Sequence, residues 1–273
     1  MAQAAKTSTA GRSSVGDESK ASLGRALAIL DLFTAAHASW GVEPIADALG
    51  VATPTAYRYV RELVARGLLL RMPGGSYALG PRIILLDYTM RQVDPLLRTA
   101  PPIMRELVRR TGCDCVTSAR YGDQVLDTHR ETGQAPVSLA YGRGRPRPWF
   151  RGAAPKVILA VQSPRWQRQI YEVNANEIAM ADLGQTWQAF RLYLTRIVRA
   201  GHCLSRGEVD PPVTALAVPI PTAESDSVTY ALALVTSTER FDLLNVDLLL
   251  KLVQGAATDI ASAMAAAHVE KSL

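Results

Sequence analysis

The sequence predicts an α+β protein of two domains. Two patterns indicate this: helical periodicity in the first third leads into a short strand-like pair around a Pro-Gly-Gly turn, and strand-like and helical segments interleave in the remainder. The 273 residues, 48% hydrophobic and 20% charged, are enough to build two hydrophobic cores. Disorder is therefore not expected as the general state of the chain.

The bulk composition narrows the class of protein further. The net charge of +5 suits an anionic partner, although many proteins that bind no nucleic acid have a similar excess. Cys113, Cys115 and Cys203 form neither a disulfide framework nor a zinc pattern, so we expect a reducing compartment, no metal and no cofactor. No apolar run is expected to approach the roughly 20 residues that cross a bilayer, and the N-terminus lacks the hydrophobic core of a signal peptide. We therefore expect a cytoplasmic protein without membrane contact.

The N-terminal region predicts a tail followed by a first helix. Residues 1–20 are rich in Ala, Ser, Thr and Gly and have few large apolar side chains, so they are expected to be disordered. From Ser22, a candidate N-cap, apolar residues recur at helical spacing. These residues are Leu23, Ala26, Leu27, Leu30 and Phe33.

Two further helices and a hairpin are predicted next. The second helix covers about residues 43–49 and ends at Gly50. The third begins with Thr53 as its cap and Pro54 in its first turn, and it ends at Gly67. The pattern then predicts two strands, over residues 68–71 and 76–79, around a Met-Pro-Gly-Gly turn. Three helices and a hairpin make a winged helix-turn-helix domain, assigned to residues 21–81.

A linker helix and a second domain follow. The helical pattern over residues 82–110 is interrupted at Pro95 and at Pro101-Pro102, which predicts a linker helix over 82–98 and a second domain over 99–273. That domain is expected to be a single α+β unit. Its predicted strands cover residues 115–119, 124–130, 214–220 and 228–236, and its predicted helices cover 153–160, 187–200 and 243–267.

The third helix and the hairpin carry the candidate DNA-binding residues. Between residues 51 and 71 there are four arginines and one acid, Glu62, so this stretch has a net charge of 4 − 1 = +3. A solvated amphipathic helix would explain the helices equally well, but the hairpin directly after Gly67 favours DNA binding. Arg58 is the strongest candidate for a base contact. The full predicted set is Thr53, Thr55, Tyr57, Arg58, Arg61, Arg66 and Arg71.

Several motifs resemble the IclR family of bacterial regulators. They are SLGRALAIL at 22–30, Tyr57-Arg58, Gly67-Leu68, YALG at 77–80, GAAPKVILA at 152–160, RAGH at 199–202 and AVPI at 217–220. The resemblance implies a winged helix, a linker helix and a GAF-like effector-binding domain. It also implies homodimers or dimers of dimers that bind double-stranded DNA under the control of a small-molecule effector. One departure is Pro155, where the family usually has Gly; we expect it to reshape the start of the helix that lines the pocket.

The effector site is predicted from a basic, aromatic loop and from the resemblance. Residues 143–156 include five basic residues and no acid, which suits an anionic effector at a helix N-terminus, although the arginines also fit a solvated loop or a subunit contact. Family members that sense small oxoacids place Asp, Cys and two Ser where this chain is aligned to have Ser205, Ala215, Ala233 and Val235. Loss of those polar groups predicts an organic acid with aromatic or hydrophobic character. The remaining candidate pocket residues are Trp149, Phe150, Ala153 and Ala154.

Two other classes of protein are less well supported. The first is a small-molecule enzyme on a GAF-like fold. No serine elbow, phosphate-binding glycine loop or paired-histidine metal motif is present, so no catalytic residue is predicted. The cysteines are expected to be buried and structural. An interaction protein or scaffold would use the apolar stripe of the last helix, and it would not recognise a DNA site. A dimeric regulator predicts a palindromic operator with half-sites about 34 Å, or a multiple of that, apart.

Overall fold

A computed structural model describes residues 22–222 and 229–269, with side chains to residue 267. The tail predicted over residues 1–20 lies outside the described residues. The chain divides between Gln92 and Val93 into two compact units.

The first unit contains the three predicted helices. Helix α1, described over residues 22–28, continues as a 3-10 turn at Ile29–Leu32, and α2 (Val42–Leu49) and α3 (Thr53–Ala65) follow. Ser22 is already helical, and its hydroxyl donates to the Tyr59 hydroxyl at 3.1 Å. The helices enclose one apolar core because each has a single buried face. Its buried members are Ile29, Val42, Ile45, Ala46, Ala56, Tyr59, Val60, Leu63 and Leu69.

The boundaries of α2 and α3 follow the turn residues in the sequence. Gly50 and Gly67 have φ values of 61° and 70°, a backbone conformation that glycine adopts without a steric penalty, and they end α2 and α3 as predicted. The prediction that Thr53 caps α3 is wrong. Ala52 is the N-cap, without a side-chain hydrogen bond, and Thr53 is the first helical residue.

The predicted hairpin is confirmed. Strands β1 (Leu69–Arg71) and β2 (Tyr77–Leu79) pair antiparallel, and Leu69 lies opposite Leu79. Trp40 and Tyr77 exchange two backbone hydrogen bonds of 2.9 and 2.8 Å, which add a short bridge along the outer side of β2. The hairpin is therefore attached to the helical part of the unit through α3 and Trp40.

Helices α4 (Arg82–Val93) and α5 (Pro95–Thr111) come next along the chain. The break between them agrees with the predicted effect of Pro95, but the expected interruption at Pro101-Pro102 is wrong because both prolines lie inside α5. Prolines inside a helix cost about 3 kcal/mol or more in isolation. Helix α5 nevertheless continues because one face is buried, with Leu96, Ala100, Met104 and Leu107 in the core of the second unit.

The second unit is built on a six-stranded antiparallel sheet in the order β5-β4-β3-β8-β7-β6. Four of the strands match the predicted segments, although residue 228 of the last one lies outside the described residues. The short strands β5 and β6 were not predicted. The six strands are β3 (Asp114–Tyr121), β4 (Gln124–Glu131), β5 (Pro146–Arg147), β6 (Cys203–Arg206), β7 (Val213–Ile220) and β8 (Thr229–Ser237).

Helices cover both faces of this sheet. The predicted helices over 153–160 and 187–200 are confirmed with those bounds, whereas the last helix is preceded by a separate short one and begins three residues later than expected. A further helix between the first two was not predicted. The helices are α6 (Ala153–Ala160), α7 (Pro164–Met180), α8 (Trp187–Ala200), α9 (Thr238–Asp242) and α10 (Val246–Val269).

The two faces of the sheet carry side chains of different size. Successive strand residues point to opposite faces. In β8, Leu232 and Leu234 join the core beside α5 and α10, whereas Ala231, Ala233 and Val235 join the core beside α6 and α8. The small side chains on the α6 face leave space between the sheet and the beginning of α6.

Helix α10 is more apolar than was predicted from the sequence. Residues Val246–Ala267 have a mean hydropathy of 1.2 over their best window, which by length and composition is sufficient to cross a membrane. The prediction that no apolar run approaches that length is therefore wrong. Helix α10 packs on α5 and the sheet, and its buried residues include Val253, Ala257 and Ile260. This packing buries 33% of the apolar window, so one face of α10 belongs to the core of the second unit.

Candidate nucleic-acid interface and effector cavity

Helix α3 has one buried face and one exposed basic face. Residues at steps of three and four share a helix face. Tyr57, Arg58 and Arg61 are therefore neighbours, and all three are exposed. The opposite face, with Ala56, Val60 and other core residues, anchors the helix in the unit.

The exposed face of α3 and the hairpin together line an open groove. Tyr57, Arg58 and Arg61 of α3 meet Arg71 of β1 there, and the remaining lining residues are Pro54, Val64 and Tyr77. Four of the seven predicted DNA-binding residues are thus brought together. Thr53, Thr55 and Arg66 belong to the first turn and the C-terminal end of α3 and do not line the groove.

The charges in this groove are not neutralised internally. Within the described part of the chain, no carboxylate forms a salt bridge with Arg58, Arg61, Arg66 or Arg71. The Arg58 guanidinium lies 5.5 Å from the centre of the Tyr59 ring. Exposed arginines without acidic partners attract phosphate groups and carry donors for base edges.

A cavity in the second unit lies between the sheet and the beginning of α6. It has about 490 Å³ of empty space, its opening to solvent included. Six of the eight predicted effector residues line it: Ala153, Ala154, Ser205, Ala215, Ala233 and Val235.

The other two predicted residues do not line this cavity. Phe150 is buried in the core, where its ring meets Phe190 edge-on with centroids 6.5 Å apart. Trp149 packs on Trp166, at 5.2 Å between ring centroids, and its Nε1 donates to the carbonyl of Asp123 at 2.8 Å. Both rings therefore pack against other aromatic residues and not against the cavity.

One wall of the cavity is polar, and it was not predicted from the sequence. Ser118 of β3 lies opposite Asp127 of β4, and its hydroxyl donates to Asp127 Oδ1 at 2.7 Å. Arg147 Nη1 donates to Asp127 Oδ2 at 3.2 Å, whereas Arg147 Nε is buried without a hydrogen-bond partner. A signal for this polar wall was present in the sequence. A serine and an aspartate stand in the middle of two predicted strands, where buried positions are usually apolar.

The beginning of α6 is occupied by a carboxylate of the protein itself. Glu208 Oε2 accepts hydrogen bonds from the Gly152 amide at 3.0 Å and from Lys156 Nζ at 2.5 Å. Lys156 is only 3% exposed, so its charge depends on this partner. Pro155 does not disturb the helix start, because amides in the first turn have no partner within the helix.

The loop that carries Glu208 also forms part of the cavity wall. It connects β6 to β7, and Glu208, Val209 and Asp210 all line the cavity. The Ala140 amide donates to both Asp210 oxygens at 3.2 Å. Within the basic stretch over 143–156, Arg147 and Lys156 are thus paired with Asp127 and Glu208.

Comparison with known proteins decides the family. The family model of the IclR helix-turn-helix domain matches residues 22–73, and that of the bacterial transcriptional regulator IclR C-terminal domain matches residues 89–262. The chain belongs to the IclR family. It is therefore a transcriptional regulator with an N-terminal DNA-binding domain and a C-terminal effector-binding domain.

Relatives and solved structures agree with this assignment. The HTH-type transcriptional regulator KipR of Bacillus subtilis (strain 168) is 25% identical over 200 residues, which cover 72% of this chain and 78% of KipR. XynR of Escherichia coli (strain K12) is 27% identical over 230 residues, 81% and 88% of the two chains. An IclR homolog from Microbacterium hydrocarbonoxydans, solved with 4-hydroxybenzoate, shares the fold at a TM-score of 0.72 and 22% identity, covering 90% of this chain and 99% of its own.

The cysteines of this IclR-family chain are buried, as predicted. Cys113, Cys115 and Cys203 are all buried, and the first two point into the same core beside α5 and α10. Burial raises the pKa of the Cys203 thiol to about 11 and also raises the pKa of Cys113 and Cys115, so all three stay protonated near neutral pH. Over residues 22–222 and 229–269, no cluster of His, Cys, Asp and Glu is arranged to hold a metal ion.

Proposed function

We propose that this chain binds a palindromic operator through α3 and the hairpin, and that a small organic acid with aromatic or hydrophobic character changes this binding. The groove lined by Tyr57, Arg58, Arg61 and Arg71 carries the proposal, because it combines unpaired cations with an exposed helix face. Helix α3 enters the major groove, and Arg71 of the hairpin contacts a phosphate. Thr53, Thr55 and Arg66 contact the backbone on either side.

The proposed effector class rests on the composition of the cavity walls. Ala215, Ala233 and Val235 form an apolar side, and Ser118, Asp127 and Arg147 offer hydrogen-bonding groups at the other. An aromatic acid fits such a combination of a flat apolar body and polar ends. That a fold relative was solved with 4-hydroxybenzoate supports the same class. The proposed function includes no catalytic step and places the protein in the cytoplasm, where the operator is accessible.

We further propose that the protein is a homodimer, or a dimer of such dimers. Helix α4 exposes an unusual number of large apolar side chains, and Ile84 and Tyr88 are 72% and 64% exposed. Contiguous exposed apolar surface of this kind marks an interaction site. A second copy of α4 would cover it and would place two α3 helices on the two half-sites of a palindrome.

Charges placed on α4 are expected to break the dimer. Ile84 and Tyr88 are one helical turn apart, so Ile84→Glu with Tyr88→Glu puts two carboxylates on one face of α4. Sedimentation velocity should show monomers at concentrations where the unaltered chain is dimeric. The matched control, Thr89→Glu with Gln92→Glu, adds the same charge at exposed polar positions and should remain dimeric. An unchanged sedimentation coefficient of the Ile84/Tyr88 variant would exclude α4 as the interface.

The regulator function itself is tested by titrating the purified chain against DNA flanking its own gene, at several salt concentrations and with unrelated DNA as control. We expect saturable binding that prefers the flanking DNA by about a thousandfold or more. We also expect this affinity to fall steeply with salt. Addition of 4-hydroxybenzoate should shift the operator affinity. Equal, weak binding to both DNAs would contradict the proposal and would favour an interaction protein instead.

A further inference from the structure

Two carboxylates of the loop between β6 and β7 attach this loop to the rim of the cavity. Glu208 accepts hydrogen bonds from the Gly152 amide and Lys156, and Asp210 accepts from the Ala140 amide. These contacts bridge segments that are far apart in the sequence, at the beginning of α6 and in the chain before β5. Both carboxylates and Val209 between them line the effector cavity.

The donors that Glu208 occupies are those that an acidic ligand would use. The Gly152 amide is at the beginning of α6, where the helix dipole favours an anion, and the Lys156 ammonium donates to the same Glu208 oxygen. Lys156 is buried, whereas the side chain of Glu208 is 29% exposed. Glu208 is therefore the partner that faces the cavity and solvent, and it is the one that a ligand can displace.

A third cation lies against the same position. Gly152 has φ 85°, and a Cβ atom there would be 2.9 Å from Arg147 Nη2. Arg147 thus extends from Asp127 to the beginning of α6, and its Nε is a buried donor without a partner. A carboxylate that replaced Glu208 would meet this guanidinium as well as the Gly152 amide and Lys156.

We propose that Glu208 is an intramolecular competitor of the effector's acid group, so that an acidic effector binds by displacing Glu208 from Gly152 and Lys156 and thereby frees one side of the β6–β7 loop. The inference rests on the proposed function, because it concerns the same cavity. Two carboxylates cannot share one ammonium and one amide without strong repulsion. Ligand binding and release of the loop are therefore linked, and Glu208 determines how strongly the cavity discriminates between acids and their neutral analogues.

The test compares an acid with its neutral analogue on the full chain. Glu208→Gln keeps the hydrogen-bonding shape and removes the competing charge. Glu177→Gln is the matched control, because Glu177 is exposed on α7 and does not line the cavity. Calorimetric titrations with 4-hydroxybenzoate and 4-hydroxybenzamide measure both affinities. Glu208→Gln should tighten binding of the acid about tenfold. This factor is expected if about one tenth of the unaltered chains are competent to bind and removal of the competitor raises that fraction to nearly one. Binding of the amide should change less than about twofold. Glu177→Gln should leave the ratio of acid to amide affinity unchanged.

The outcomes separate the inference from the proposed function. If 4-hydroxybenzoate binds the unaltered chain and Glu208→Gln equally well, or binds the variant more weakly, Glu208 is not a competitor while the acid effector class stands. If the amide binds and the acid binds neither chain, the acid effector class fails and the inference fails with it. Should Glu208→Gln not fold, Glu208→Asp, which keeps the charge on a shorter side chain, is expected to tighten acid binding by a smaller factor.

Discussion

Replacing Arg58 with alanine is expected to lower operator affinity about 10- to 100-fold, because an arginine that bonds a guanine edge through both nitrogens contributes about 1 to 3 kcal/mol of discrimination. Arg58 is exposed at the centre of the groove between α3 and the hairpin and has no acidic partner among the described residues. Binding to unrelated DNA should fall much less. Fluorescence anisotropy at matched salt, with operator and unrelated DNA, measures both effects.

The control for Arg58 is Arg196→Ala, which removes an equal charge from the exposed side of α8 in the second unit. This variant should bind the operator as the unaltered chain does. Equal weakening on operator and unrelated DNA, with a smaller salt slope, would assign Arg58 to a phosphate contact instead of a base contact. Unchanged affinity for both DNAs would remove Arg58 from the interface.

Replacing Asp114 with alanine is expected to destabilise the second unit by about 3 to 5 kcal/mol, the range for breaking a buried ion pair by removing one partner. The Asp114 side chain is fully buried and forms a salt bridge with Arg130. It also accepts hydrogen bonds from the Gly133 amide at 2.6 Å and the Val137 amide at 3.2 Å. Its loss would leave these donors and the Arg130 charge without their acceptor.

Urea unfolding followed by tryptophan fluorescence measures this loss. Trp149, Trp166 and Trp187 belong to the second unit and report on its unfolding, whereas Trp40 belongs to the first. Asp123→Ala is the control, because Asp123 is exposed between β3 and β4 and its side chain forms no ion pair among the described residues. A change below about 1 kcal/mol for Asp114→Ala would show that the charge is dispensable for stability.

Sequence patterns predicted one part of the proposed effector cavity and missed another. The small residues Ala215, Ala233 and Val235 were located through the family resemblance, because the family's motifs align the strands that carry them. Ser118 and Asp127 were missed although they lie only nine positions apart on paired strands. Glu208 was missed because its surroundings come from segments far away in the chain. Glu208 meets Lys156 across 52 positions, and no local pattern indicates that pairing.

The sequence by itself determined the local architecture of the first unit and much of that of the second. Glycines 50 and 67 end helices because only glycine adopts positive φ without cost, and the 3.6-residue period places Tyr57, Arg58 and Arg61 together on the exposed face of α3. The alternation of large and small residues in β8 likewise assigns its two faces. These features depend on neighbours along the chain.

Only the tertiary structure decided the features that depend on contacts between distant segments. Burial of Leu96, Met104 and Leu107 keeps α5 helical through Pro101 and Pro102, against their local preference. Packing of Phe150 on Phe190 removes that ring from the cavity, and ion pairs with Asp127 and Glu208 neutralise Arg147 and Lys156 of the basic stretch. Burial energy and charge pairing act between residues that the fold brings together, so no periodicity or spacing in the sequence reports them.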